Sequence, residues 1–216
     1  MQRRTLDIIV SLSGLVLAGL LVVLGLFLDR DASFAKSTVE EQLSQEKIMF
    51  PAVDKLTPEE RVYTETKSGC LINYAGQQLV TGKQAECYAN EYIGGHLKDP
   101  KKIPNANAMT FSELGTVIAS INTQIRAARA SNDPALADLE KRVADVREAR
   151  ELVWQGTMHR NALLTSYGFS VLGERAEQGM RIAFIAAGVL LLLSISGFVH
   201  AFVTPRTVAF APVDAR

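Results

Sequence analysis

Two stretches of this chain are continuously apolar, and the region between them carries helical stripes broken by turn signals. From Ile8 to Leu28 no charged residue occurs. Its 21 residues, rising ~1.5 Å each, cover roughly 31 Å, the thickness of a bilayer's hydrocarbon core. A second block, residues 182–203, is bounded by Arg181 and by Pro205-Arg206 and holds only His200 as a titratable group. Both blocks read as transmembrane helices. The rival for the first is a cleaved signal peptide, with Ser33 and Ala35 as small residues at a cleavage site. Against it stand the length of the run, beyond the ~7–15 apolar residues of a signal, and the intervening Asp29-Arg30-Asp31. Whether residues 1–35 stay on the mature chain is left open at this point.

Between the blocks the pattern predicts helices. Ala32 to Ile48 lacks Pro and Gly and spaces Phe34, Val39, Leu43 and Ile48 nearly helically, so the first span continues as a stalk that Pro51 ends. Thr57-Pro58-Glu59-Glu60 is a capping box with Pro at the first helical position, opening a helix of about two turns that Ser68-Gly69 breaks. Thr81-Gly82 then caps a helix through Cys87, Tyr88, Tyr92, Ile93 and His96-Leu97, and Asp99-Pro100 stops it. Residues 98–108 form a polar loop. Thr110 caps a helix from Phe111 to Ala130 with a stripe of Leu114, Val117, Ile118, Ile121 and Ile125. Asn132-Asp133-Pro134 turns the chain, and Leu136, Leu139, Val143, Val146 and Val153 step by three and four, predicting an antiparallel hairpin over 111–156. After Gly156, Leu163, Leu164, Tyr167, Val171 and Leu172 keep the helical period and no Pro occurs before Pro205, so a nearly continuous helix should feed the second span. Its inner face should pack on the Tyr74 to Leu97 segment and the stalk.

No repeat and no strand-like alternation appears, so the expected fold class is all-α, with two transmembrane helices flanking a helical extracytoplasmic domain. The segments are a cytoplasmic N-terminus (1–7), a span (8–28), the extracytoplasmic domain (29–181), a second span (182–203) and a cytoplasmic tail (204–216).

Composition alone, 48% hydrophobic with 23 basic and 23 acidic residues, would suit an ordinary soluble domain. The distribution of charge changes that picture. Arg3 and Arg4 precede the first span and should stay in the cytoplasm, as should Arg206 and Arg216, with Asp7 and Asp214 weakening the bias. Residues 29–180 hold 18 Lys and Arg against 21 Asp and Glu, which leaves no basic stripe for nucleic acid. The two cysteines, Cys70 and Cys87, both fall in this external segment, where an oxidising compartment allows a disulfide. A bridge closing ~17 residues is worth about 3 kcal/mol in the chain-entropy model. Two free, half-buried thiols are the alternative.

Tyr74-Ala75-Gly76-Gln77-Gln78-Leu79-Val80 with Gly82, Gln84-Ala85, Tyr88-Ala89 and His96-Leu97, followed by Leu163-Leu164, Tyr167 and Phe169, resembles a family of uncharacterised bacterial two-span membrane proteins. Its members often carry the label "aromatic ring-opening dioxygenase". The resemblance covers the chain ends and the central unit and leaves out most of the 111–156 hairpin. The label implies a non-haem iron site of two His and a carboxylate. The residues do not support it: of His96, His159 and His200, only the first two could meet outside the membrane, and they lack the close spacing of a local metal motif. The chain shows no phosphate loop, nucleophile elbow or zinc helix, so no catalytic, cofactor or metal residue is assigned.

Tyr74, Gln77, Gln78 and His96 are the candidate binding residues, with Tyr88 and Tyr92 completing an aromatic cluster; amide caps around a tyrosine core are the structural alternative. Gly14 with Ala18, Ala183 with Ala187 and Gly197 with Ala201 allow close helix approach, either between the two spans or with a larger complex. The expected role is structural or interactive: a membrane-anchored accessory component of a larger membrane or envelope assembly, with the lipid bilayer and other membrane proteins as partners. The alternative is a small-molecule-binding protein or enzyme with a pocket near Tyr74, Gln78 and His96.

Overall fold

The computed structural model describes residues 3–61 and 69–205. Among them every regular element is helical, and the one β feature is an isolated antiparallel bridge between Met49 and Gln78. The all-α class therefore holds. Helices α1 (Arg3–Gln45) and α7 (Leu136–Val203) dominate, and each contains a segment long and apolar enough to cross a membrane. Between them come a 3₁₀ turn (Val53–Lys55), α2 (Pro58–Arg61), α3 (Cys70–Asn73), α4 (Gly82–Cys87), a π-helical turn (Tyr88–Ile93), α5 (Gly94–His96) and α6 (Phe111–Ser131). The chain forms two compact units, one of residues 1–37 with 171–216, the other of residues 38–170. Helices α1 and α7 contribute to both.

In the first unit α1 and α7 pair along a seam of small residues. Ser11, Ala18 and Ala35 are buried on α1, and Ala183, Ala187, Ser194 and Ala201 on α7. A Cβ added at Gly14 would meet the Ser194 hydroxyl, one at Gly197 the Ser11 hydroxyl and one at Gly173 the Ala35 methyl, so these glycines make room for small side chains of the facing helix. Positions 11, 14, 18, 25 and 35 step along one heptad-like stripe, as do 173, 183, 187, 194, 197 and 201, the spacing that keeps two helices in register. The small-residue pairs thus serve the packing of α1 on α7. The large apolar side chains point away from the seam: Phe27, Leu20, Ile185 and Leu192 are all more than half exposed. A soluble core helix has the opposite distribution.

The second unit has two cores. One gathers Val39 and Leu43 from α1, Phe50, Leu56, Leu71, Leu79, Ala85, Cys87, Ala89 and Leu163, with Tyr74, Tyr88, Tyr92 and Leu164 packed around it. The Cys70–Cys87 disulfide, with Cα atoms 6.0 Å apart, ties α3 to α4 at its edge. The other is the core of the α6/α7 hairpin: Leu114, Ile121 and Ile125 against Val143, Val146, Ala149 and Val153. Thr110 caps α6 through a capping box with Glu113, and Asn132 in the left-handed region ends it. Ile103 and Ala106 of the polar 98–108 loop are buried in this second core, so the loop closes the open end of the hairpin.

Helix α7 runs unbroken through Gly156, where an added Cβ would press into the Leu97 side chain. One expectation needs correction. Leu172 does not join the inward stripe and is 66% exposed, because Gly173, one helical step of ~100° away, takes the seam position beside Ala35. The helix expected after Thr57 is present as Pro58–Arg61, and residues 62–68, on which its second turn would fall, lie outside the described residues. Ser68 of the predicted break, and Arg206, Asp214 and Arg216 of the predicted tail, lie outside the described residues.

Candidate functional site

The segment that the sequence singles out, residues 74–96, is built around rings. Phe50, at the end of the chain that leaves α1, sits 5.4 Å from Tyr74 and 5.2 Å from Tyr88 between ring centroids. Tyr88 lies 4.8 Å from Tyr92, and Tyr92 lies 4.2 Å from the His96 imidazole. Positions 88, 92 and 96 are four apart and so share one face of the helical segment, whose first part, Tyr88–Ile93, is π-helical and whose end, Gly94–His96, is α-helical. Burial, with Tyr92 adding to the effect, pushes the Tyr88 phenol up to about 12, and burial followed by the Glu60 charge also raises Tyr92. The Tyr88 phenol is therefore a neutral, protonated group at physiological pH.

At the far end of the ladder His96 Nε2 is 3.0 Å from Glu60 Oε1, and the backbone N–H of Thr57 donates to Glu60 Oε2 at 2.7 Å. Burial works to raise the Glu60 pKa, but the Thr57 N–H and His96 outweigh it and hold the carboxyl below its ordinary value. The candidate binding residues are largely committed to such internal bonds. Gln78 Nε2 donates to the Ser44 carbonyl at 2.9 Å, closing the C-terminal end of α1. Gln77 Nε2 donates to the Asn73 carbonyl at 3.0 Å, and the Gln77 carbonyl accepts from the Phe50 N–H. Gly76, at φ 71°, allows the turn that brings these amides back to Phe50.

Buried Gln84 is a hub. Its Oε1 accepts from the N–H groups of Val80 and Thr81, while the Thr81 hydroxyl accepts from the Gln84 N–H. The Thr-x-x-Gln capping box was the available signal.

Two further surfaces carry chemistry. An open cleft of about 720 Å³ is lined by Gln42, Leu43, Gln45, Glu46 and Ile48 at the end of α1, by Tyr88 and Ile93, and by His159, Ala162, Leu163 and Ser166 of α7. Tyr74, Gln77, Gln78 and His96 do not line it. On α6 and α7, the Arg150 guanidinium lies 3.5 Å over the Phe111 ring and donates to the Phe111 carbonyl at 3.1 Å, and Trp154 packs 5.0 Å from the same ring. Trp154 and Met158 are nevertheless 41% and 39% exposed. Neither surface was foreseen, because each joins residues from distant segments.

As a donor set for iron the histidines are dispersed: His96 pairs with Glu60, His200 with Asp7, and His159 lines the cleft. No group of three metal-ligating side chains occurs among the described residues. Comparison with protein-family models, with curated proteins and with solved structures returns no match to this chain.

Proposed function

We propose that this is a membrane-anchored interaction protein that presents residues 38–170 outside the cytoplasm and acts as an accessory component of a larger membrane or envelope assembly. The α1/α7 pair, small inside and apolar outside, supports the anchor. The Cys70–Cys87 bridge supports an oxidising compartment, and Arg3 and Arg4 support cytoplasmic termini. Kinship with the two-span family remains part of this proposal and rests on the 74–97 motif; the dioxygenase label does not.

The observation that carries the interaction reading is the Phe111, Arg150, Trp154 and Met158 cluster. Aromatic residues, Arg and Met are the types enriched where protein interfaces are fully buried, and Trp and Arg dominate their energetics. Here Arg150 is held rigidly by its bond to Phe111, so little side-chain freedom would be lost on docking. Purification in mild detergent from native membranes, wild type beside Trp154→Ala, tests it. A defined partner should accompany the wild type and be lost from the variant while the disulfide and helix content are unchanged. Equal partner recovery with both proteins would refute the role of this surface.

A further inference from the structure

The cleft at the end of α1 has a one-sided electrostatic character that the interaction surface does not need. Glu46 lines it and forms no ion pair among the described residues. No Lys or Arg lines it, and Lys47, next in the chain, is exposed and outside it. The last turn of α1, which supplies Gln42, Leu43 and Gln45, contains no basic residue, so the negative end of that helix's dipole is not offset by a side chain of its own. Of the three histidines, His96 and His200 have carboxylate partners, whereas His159 has none among the described residues and faces the cleft. Tyr88 adds an aromatic wall, and its phenol stays uncharged because burial raises it to about 12. Leu43, Ile48, Ile93 and Leu163 supply apolar contact. The volume, about 720 Å³, falls within the range of small-ligand sites.

We infer that this cleft is a binding site for an organic ammonium, a cationic amine on a small apolar or aromatic skeleton. Its charge would be met by Glu46, its skeleton by Tyr88 and the aliphatic wall. A carboxylate and an aromatic ring favour a cation, and no Lys or Arg in the lining would pair with an anion. His159 and Ser166 would bond polar substituents at the mouth. The inference is independent of the accessory role, which rests on the Trp154 face.

Three probes with one skeleton decide it: phenethylamine, 2-phenylethanol and phenylacetate, titrated by ligand-observed NMR against the full chain in nanodiscs of neutral lipid. Phenethylamine should bind saturably and at least about tenfold more tightly than either of the others. Glu46→Gln should weaken it about two- to fivefold and Tyr88→Leu about two- to thirtyfold, the spans that an exposed ion contact and a cation–π contact cover. Because Glu46 is exposed, its replacement leaves both cores intact, and an unchanged circular dichroism spectrum would verify that. Phenylacetate binding as tightly as phenethylamine, equal affinity of Glu46→Gln and wild type, or no saturable binding at all would each overturn the assignment.

Discussion

Three threonines in residues 38–170 start helices in the same way, and the acceptor three residues later differs in what else it touches. Glu113 serves only Thr110, at the surface. Gln84 gathers Val80 and Thr81 in a buried setting, where an amide avoids the cost of a buried charge. Glu60 serves Thr57 and also holds His96 at the end of the aromatic ladder. Its folded pKa lies below the ordinary value of 4.5, so it contributes stability that is present above that value and is lost as pH falls through the lower, folded one. Thermal melts between pH 7 and pH 3 should therefore show a steeper acid loss for the wild type than for Glu60→Gln. Parallel curves for the two proteins would show that the carboxylate is not coupled to folding.

At the level of elements, α7 serves two different faces with one continuous backbone. Between residues 136 and 153 it offers Val143, Val146 and Val153 to α6, and at Leu163 it enters the core that holds the disulfide and the tyrosines. Gly156 and Gly168 cost about 1 kcal/mol each against Ala, too little to interrupt a helix packed on this scale. Leu163 is 6% exposed. Leu163→Asp would place an unpaired charge among Leu43, Phe50 and Leu79, a loss of about 3–5 kcal/mol by comparison with other buried, uncompensated charges. Limited proteolysis should cut residues 38–170 of that variant much faster than the wild type, with membrane association retained. Unchanged resistance would mean that this face of α7 carries no core.

For the molecule as a whole, the proposed topology has a direct consequence. Two crossings return the chain to the side on which it starts, so a reporter that fluoresces only in the cytoplasm should be bright when fused to the C-terminus. It should be dark when inserted in the exposed turn between α6 and α7. Cys70 and Cys87 should resist thiol labelling in unreduced, denatured protein, since they are bonded. A dark C-terminal fusion in intact, membrane-bound protein would reverse or remove the proposed anchor.

The amino-acid pattern was sufficient for the apolar blocks, the hairpin stripe, the helix caps and the cysteine pair, because each is a local signal. Chain length against bilayer thickness, a period of 3.6 and a Thr-x-x-Glu box are all read within a few turns of helix. Tertiary structure decided the rest. Nothing local indicates that the Leu97 side chain lies against Gly156 inside an unbroken helix. Gln77 and Gln78 fit either a binding site or amide caps in the sequence, and the return of their segment to Ser44, Asn73 and Phe50 commits them to the caps. The Phe111, Arg150 and Trp154 cluster joins α6 to a part of α7 at least 39 positions away, and the Glu46, Tyr88 and His159 cleft spans 113 positions. Such meetings depend on how helices pack, and no period along the chain encodes them.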